Sequence, residues 1–138
     1  IASYYDSNMD LNRDAPGLNL FNTEWPIRTY GSKNPPTRLL INGKISTISE
    51  GCDIEGIVEN CILSPGVRIG KNSYVQDSVI FGDVNIGDNV TIRRAIVDRF
   101  NTIESRSQIG YDSEEDRKKG YSVKSEIVIV PRGNLVNK

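Results

Sequence analysis

The chain has 138 residues, which suits one domain, and 37% hydrophobic with 25% charged residues is a globular composition rather than a disordered or membrane one. Its 17 basic and 18 acidic residues leave a formal charge of -1. No global field therefore draws in nucleic acid or anionic lipid, and any anion site has to be built locally from a few Arg and Lys. Histidine is absent, which removes Ser-His-Asp and Cys-His catalysis and any His-ligated metal. No apolar run is long enough for a transmembrane helix and no signal peptide is visible, pointing to a reducing, cytoplasmic setting without a membrane partner.

Residues 1–40 do not repeat. Pro16, Pro26, Pro35 and Pro36 are scattered among Tyr4, Tyr5, Phe21, Trp25 and Tyr30. Prolines with dispersed aromatics suggest an extended arm that packs on something else, a linker between domains. Within it, Tyr5 to Leu11 reads as a helical turn. Cys52 and Cys61 lie nine apart and match no zinc ribbon or CxxC spacing. They are read as small buried hydrophobes, with a disulfide or metal pair as the alternative.

Residues 41–110 carry an internal repeat. Written in rows of seventeen from Val58, Val75 and Ile92, the centre aligns without gaps. Val58, Val75, Ile92 and Ile109 share one column. Ile62, Val79 and Ile96 share a second, Leu63, Ile80 and Val97 a third, and Ile69, Ile86 and Ile103 a fourth. Cys61, Ser78 and Ala95 form a small-residue column. The leading aliphatics step by five, six and six, which no α-helix can follow. Three short sides per turn describe a triangular parallel β-helix with aliphatic side chains stacked in its interior. Gly66, Gly70, Asn72, Gly82, Gly87 and Asn89 are expected to supply backbone freedom at the corners. Arg68, Lys71, Asp77 and Asp88 are expected to face water. Ile48, Cys52 and Ile54 look like an earlier coil whose register slips by a residue or two, giving about four coils.

Residues 111–138 close the chain. Asp112 to Gly120 reads as a solvated turn or short helix, acidic first and basic last as the helix dipole prefers. Glu126 to Pro131 reads as one strand ended by the proline, suited to covering an open coil edge.

The flanks carry a resemblance. Asn8-Met9-Asp10-Leu11, Trp25-Pro26-Ile27-Arg28-Thr29 with Pro35-Pro36, Ala95-Ile96-Val97-Asp98-Arg99, Ile109-Gly110-Tyr111-Asp112 with Glu115-Asp116-Arg117, and Ile127-Val128-Ile129-Val130 occur in order. Together they resemble the C-terminal third of bacterial ADP-glucose pyrophosphorylases (glucose-1-phosphate adenylyltransferases). Thr37-Arg38-Leu39-Leu40 departs from the family's usual pattern after the proline pair. The resemblance implies an all-β, left-handed parallel β-helix of hexapeptide repeats, with the extended N-terminal arm and a C-terminal capping strand. It implies a cytoplasmic nucleotidyltransferase of glycogen or starch synthesis, making ADP-glucose and pyrophosphate from ATP and glucose 1-phosphate.

This chain would be its oligomerisation and allosteric part, without catalytic residues, cofactor or metal of its own. Magnesium and the catalytic aspartates belong to the N-terminal domain of such enzymes. The implied partners are that catalytic domain, further copies of the chain in a tetramer, and anionic sugar-phosphate or nucleotide effectors. By resemblance Arg99 and Arg132 match basic effector positions, since a guanidinium offers bidentate hydrogen bonds to phosphate. Arg28 is a further candidate, and Arg38, Arg93 and Arg94 are weaker ones. A solvated surface arginine is the plainer alternative for each, above all for Arg93 and Arg94, expected to decorate an exposed coil face. A modulatory subunit tail or a pure assembly scaffold of a related sugar nucleotidyltransferase is the alternative function. A hexapeptide acyltransferase is set aside because its base is histidine.

Overall fold

A computed structural model describes residues 1–22, 24–25 and 36–133. Helix α1 spans Ala2–Asp10, and a hairpin of β1 (Thr37–Ile41) and β2 (Lys44–Ile48) follows. The next strands are β3 (Asp53–Ile54), β4 (Ile57–Glu59), β5 (Ile62–Leu63), β6 (Arg68–Ile69), β7 (Tyr74–Gln76) and β8 (Val79–Ile80). They continue with β9 (Asn85–Ile86), β10 (Thr91–Arg93), β11 (Ala95–Val97), β12 (Thr102–Ile103) and β13 (Gln108–Ile109). Helix α2 (Ser113–Lys118), β14 (Ser122–Lys124) and β15 (Ile127–Val130) complete the order.

The strands stack into three sheets, the sides of a parallel β-solenoid. Two sheets have four strands each, β4-β7-β10-β13 and β3-β6-β9-β12, giving about four turns. Register follows the seventeen-residue rows: Val58 lies on Val75, Ile92 on Val75, and Ile109 on Ile92. Ile69 lies on Ile86 and Ile86 on Ile103. These columns form the buried interior together with Leu63, Ile80 and Val97. Each fully buried aliphatic contributes roughly 1.5–3 kcal/mol over an exposed one. The first coil is two residues shorter. Ile48 pairs with Leu63 and Ile54 with Ile69, each fifteen positions on.

One column departs from the interior reading. Ile62, Val79 and Ile96 each precede an inward residue on the same short strand, and neighbouring strand residues point to opposite faces. The column therefore lies on the outside of the third, seven-stranded sheet. It is covered by α1: Tyr5, Val79, Ile96 and Ile127 form a separate buried cluster with Ala2, Met9, Ile62 and Phe81 at its margin. The arm is thus not extended throughout. Its first nine residues beyond Ile1 are helical, and they dock on the solenoid itself.

The corners divide into two physical kinds. Asn60, Asp77 and Arg94 have positive φ, as do Gly66, Asp83 and Phe100, and Asn72, Asn89 and Arg106. Each set steps by seventeen, so one left-handed residue turns the chain at each corner of each coil. Gly70, Gly82 and Gly87, expected at corners for their freedom, have no such φ. Gly70 and Gly87 are instead needed for space: a Cβ on Gly70 would lie 2.7 Å from the Gly87 carbonyl carbon, and one on Gly87 2.8 Å from Ser105 N. Glu104 occupies the equivalent position just after the edge strand β12, where no further coil of that sheet presses on it.

Polar interior residues serve the stack. Cys61 N–H donates to Ser46 Oγ at 3.1 Å, Ala95 N–H to Ser78 Oγ at 3.1 Å, and Val90 N–H to Ser73 Oγ at 2.9 Å. Both cysteines are free thiols; Cys61 is buried and Cys52 half-buried.

Both ends of the seven-stranded sheet are covered by antiparallel strands. At one end β1 pairs β2 across the two-residue turn Asn42–Gly43, whose φ values are 51° and 73°. At the other, β15 lies parallel to β11 with Ile96 against Ile129, and β14 pairs β15 antiparallel. The terminal strand therefore takes the next rung above β11, as an edge cover should.

Gly87→Ala is expected to lower stability by about 1–3 kcal/mol, because the added methyl presses on the next coil's backbone. Glu104→Ala, at the equivalent position of the edge coil, should be near neutral. Urea midpoints of the two variants check the contrast.

Candidate functional site

The arginines singled out in the sequence fall in different settings. Arg28 lies outside the described residues. Arg99 follows β11 at a corner and is exposed; its N–H donates to Asp98 Oδ1 at 2.7 Å. Arg132 follows β15 and is also exposed, with its guanidinium 5.4 Å from the centre of the Phe100 ring. The fold brings the segments that carry these two together. Gly133 N–H donates to the Arg99 carbonyl at 3.0 Å. Asn101 Nδ2 donates to the carbonyls of Asp98 and Pro131, both at 2.8 Å. Gly133 has no room for a side chain, since a Cβ would sit 2.1 Å from the Phe100 carbonyl oxygen. Residues 33 apart in sequence thus share one corner, because β15 lies on β11. Neither guanidinium has a carboxylate partner within 4.0 Å among the described residues. Two cations free of carboxylates at one corner can receive an anion with several oxygens.

The weaker candidates lie elsewhere on the fold, each with contacts of its own. Arg38 donates to the Arg13 carbonyl at 3.1 Å and lies 5.6 Å from the Phe21 ring. Arg93 lies 5.7 Å from the Tyr111 ring. Arg94 does not decorate an open face as expected. It turns a corner at φ 47°, pairs with Glu126 at 3.7 Å, and buries its Nε without a partner among the described residues.

The Ile109–Asp112 and Glu115–Arg117 motif has structural roles in the fold. Ile109 fills the interior. Gly110 turns at φ 85° so close to Arg93 that a Cβ would meet its carbonyl oxygen at 1.8 Å. Asp112 caps α2 by accepting from Glu114 N–H at 2.9 Å and Glu115 N–H at 3.2 Å, which holds its carboxyl below the ordinary range. Asp116, 1% exposed, accepts from Gly110 N–H at 2.9 Å.

A buried carboxylate escaped the sequence reading. Glu59 is 5% exposed at the end of β4. Asn42 Nδ2 donates to its Oε1, Tyr74 OH to its Oε2 at 2.8 Å, and Lys44 Nζ pairs at 3.3 Å. The Asn42–Gly43 dipeptide between apolar runs was the available signal, since it marks a two-residue hairpin whose tip has to land somewhere. Nothing in the sequence marked Glu59 as its landing point. The bonds from Asn42 and then Tyr74 hold the Glu59 carboxyl below its ordinary 4.5. In return, the carboxylate pushes the Tyr74 hydroxyl up to about 12.

Asp77, expected in water, is half-buried beside this cluster. Its Oδ1 accepts from Asn60 Nδ2 at 2.7 Å and its carbonyl accepts from Tyr5 OH. Asn12, 7% exposed, ties the arm to the same corner: it donates to the Cys61 carbonyl at 3.2 Å and accepts from Thr47 Oγ1 at 2.8 Å.

The pH dependence follows from these shifts. A carboxyl depressed in the fold stabilises it above the unfolded value and loses that contribution as pH falls through the folded one. Stability contributed by Glu59 is therefore present above pH 4.5 and lost on acidification. A raised hydroxyl behaves oppositely, so the part owed to Tyr74 is present below pH 10.0 and lost toward about 12. Glu59→Gln should flatten the acid limb of a stability-versus-pH curve, and Tyr74→Phe the alkaline limb. Denaturant unfolding across pH checks both.

Among the described residues, no helix is long and apolar enough to cross a membrane, and no three His, Cys, Asp or Glu side chains converge as a metal site would require. Comparison with known proteins places the chain in a family. Residues 40–130 match the family model described as GlmU-like, C-terminal hexapeptide. A glucose-1-phosphate adenylyltransferase of Anaeromyxobacter sp. (strain Fw109-5) is 44% identical over 97% of this chain and 35% of its own length. One of Koribacter versatilis is 41% identical over 94% of this chain and 33% of its own length. One of Rhodopirellula baltica is 34% identical over 99% of this chain and 33% of its own length. The chain spans about a third of the length of these curated relatives. With the repeat register and the family model covering the same solenoid, the chain belongs to the GlmU-like C-terminal hexapeptide family, and its relatives are glucose-1-phosphate adenylyltransferases.

Proposed function

We propose that this chain is the C-terminal oligomerisation and allosteric domain of a glucose-1-phosphate adenylyltransferase, the enzyme that makes ADP-glucose and pyrophosphate from ATP and glucose 1-phosphate in glycogen or starch synthesis. The observation that carries the reading is the near-complete alignment of this chain with about one third of each relative. The chemistry would reside in a separate nucleotide-binding domain, cytoplasmic with the rest of the enzyme. Magnesium would be held by that domain, as the resemblance implies.

The regulatory part of the proposal rests on the Arg99–Arg132 corner. Effectors of the expected class, sugar phosphates and nucleotides, carry the multi-oxygen anions that paired guanidinium groups recognise. Arg28 remains a candidate for the same ligand. The partners of the domain are its catalytic domain, reached through the arm, and further copies of itself in a tetramer.

The test uses the intact protein. ADP-glucose synthesis is assayed against fructose 1,6-bisphosphate, other sugar phosphates and AMP, with and without Arg99→Ala. Activation or inhibition should weaken by at least about tenfold in effector concentration, roughly the 1.5–3 kcal/mol of a charged hydrogen bond, while the unstimulated rate persists. An unchanged response would make Arg99 a surface residue and the domain an assembly scaffold.

A further inference from the structure

The turn between β1 and β2 carries a chemistry that its structural role does not use. Asn42 is the only asparagine in the sequence that is followed by glycine. An asparagine side-chain amide is electrophilic, and the backbone nitrogen of the next residue can attack it. Glycine hinders that attack least, because it has no side chain beside its nitrogen. Both residues of the turn are exposed. A Cβ built on Gly43 would meet nothing within 4 Å, so the surroundings leave room for a ring to close. Among the described residues Gly43 N–H has no hydrogen-bond acceptor.

The same amide clips the hairpin to the solenoid. Asn42 Nδ2 donates to Oε1 of the buried Glu59, while Tyr74 OH and Lys44 Nζ meet Oε2 at 2.8 Å and 3.3 Å. The nitrogen that would leave in the reaction is therefore the nitrogen held by Glu59.

We propose that Asn42 is a deamidation site guarded by Glu59, and that its conversion to an acid unlocks the β1–β2 cover. Gly43 N attacks Asn42 Cγ, so the N–Cγ bond forms and the Cγ–Nδ2 bond breaks. The Gly43 proton departs with the amide as ammonia. Water then opens the cyclic imide at either carbonyl, leaving aspartate or, with the backbone rerouted through Cγ, isoaspartate. A carboxylate only accepts hydrogen bonds. Glu59 Oε1 then loses its donor and faces a like charge instead. Isoaspartate also lengthens a turn whose two residues set the hairpin register. Strand β1 pairs only with β2 among the described residues, so its release bares the edge of β2 at that end of the seven-stranded sheet. Because ammonia is lost, the change runs one way.

Peptide mass spectrometry on the 138-residue chain, kept folded in mildly alkaline buffer, tests the site. Asn42 should gain the mass of an acid before any other asparagine does. Asn72 and Asn89 are internal comparisons: both also have positive φ but precede Ser73 and Val90. Glu59→Gln replaces a charged acceptor by a neutral one and should speed conversion at Asn42 about fivefold. The consequence is read separately from urea midpoints of Asn42→Asp and Asn42→Gly, both at an exposed turn that tolerates them. Both lose the bond to Glu59, but only the aspartate adds the like charge, so its midpoint should be the lower of the two and below that of the parent chain. If another asparagine converts first, Asn42 is not the site. An unchanged rate in Glu59→Gln overturns the guard, and an Asn42→Asp midpoint equal to that of Asn42→Gly or of the parent overturns the unlocking.

Discussion

Each coil hydrogen-bonds its backbone to the next along all three sides, and that repeated bonding sets the terms for every other feature. Arg68 N–H donates to the Val84 carbonyl, Asn85 N–H to that of Asn101, and Tyr74 N–H to that of Val90, at 2.8–2.9 Å. Such bonding persists only if successive coils have the same perimeter, so that corner lies over corner and side over side. A seventeen-residue step meets the condition. Left-handed residues recur at three positions per coil because the chain must turn three times within that length. Gly70 and Gly87 follow from the same stacking, since the adjoining coil leaves no volume for a methyl group.

A stack of identical coils has two ends, and an open end is a row of unpaired strand edges. The chain closes its seven-stranded side by reversing direction. The β1–β2 hairpin covers one end and is clipped by Asn42 and Lys44 to the buried Glu59 carboxylate. The β14–β15 pair covers the other. A buried carboxylate is costly unless several donors meet it, and three do here, so the clip specifies where the hairpin turn lies. The short first coil, two residues under the repeat, marks the transition between hairpin and solenoid.

The candidate anion corner is a by-product of the second closure. Arg99 follows the last coil strand of its side and Arg132 follows the covering strand, so the approach of their segments depends on β15 taking the rung above β11. The same placement puts Ile127 under Tyr5 and joins the arm to the covering strand. One strand therefore closes the solenoid, brings the segments of two arginines together and supports the helix of the arm.

The interior was legible from the sequence because inward positions of a solenoid repeat with chain number: Val58, Val75, Ile92 and Ile109 declare a column by spacing alone. The terminal strand Ile127–Val130 and the cap at Asp112 were legible too, from an apolar run before a proline and an acidic start to a polar segment. The outward column Ile62, Val79 and Ile96 was not distinguished from the interior. Apolar character records burial, not the side from which burial comes, and here it comes from α1. The corners at Asp77 and Arg94 were read as solvated for a related reason: a polar side chain does not reveal whether water or Asn60 and Glu126 will meet it.

By itself the sequence determined the repeat length, the aliphatic columns, the approximate number of coils and the absence of histidine chemistry, all of which depend on residue type and spacing along the chain. Tertiary structure alone decided which surface α1 covers, which donors surround Glu59, and that the segments of Arg99 and Arg132 meet. Those contacts join residues whose separations follow no period, and they exist only after the coils have stacked and given the flanking segments a surface to pack on.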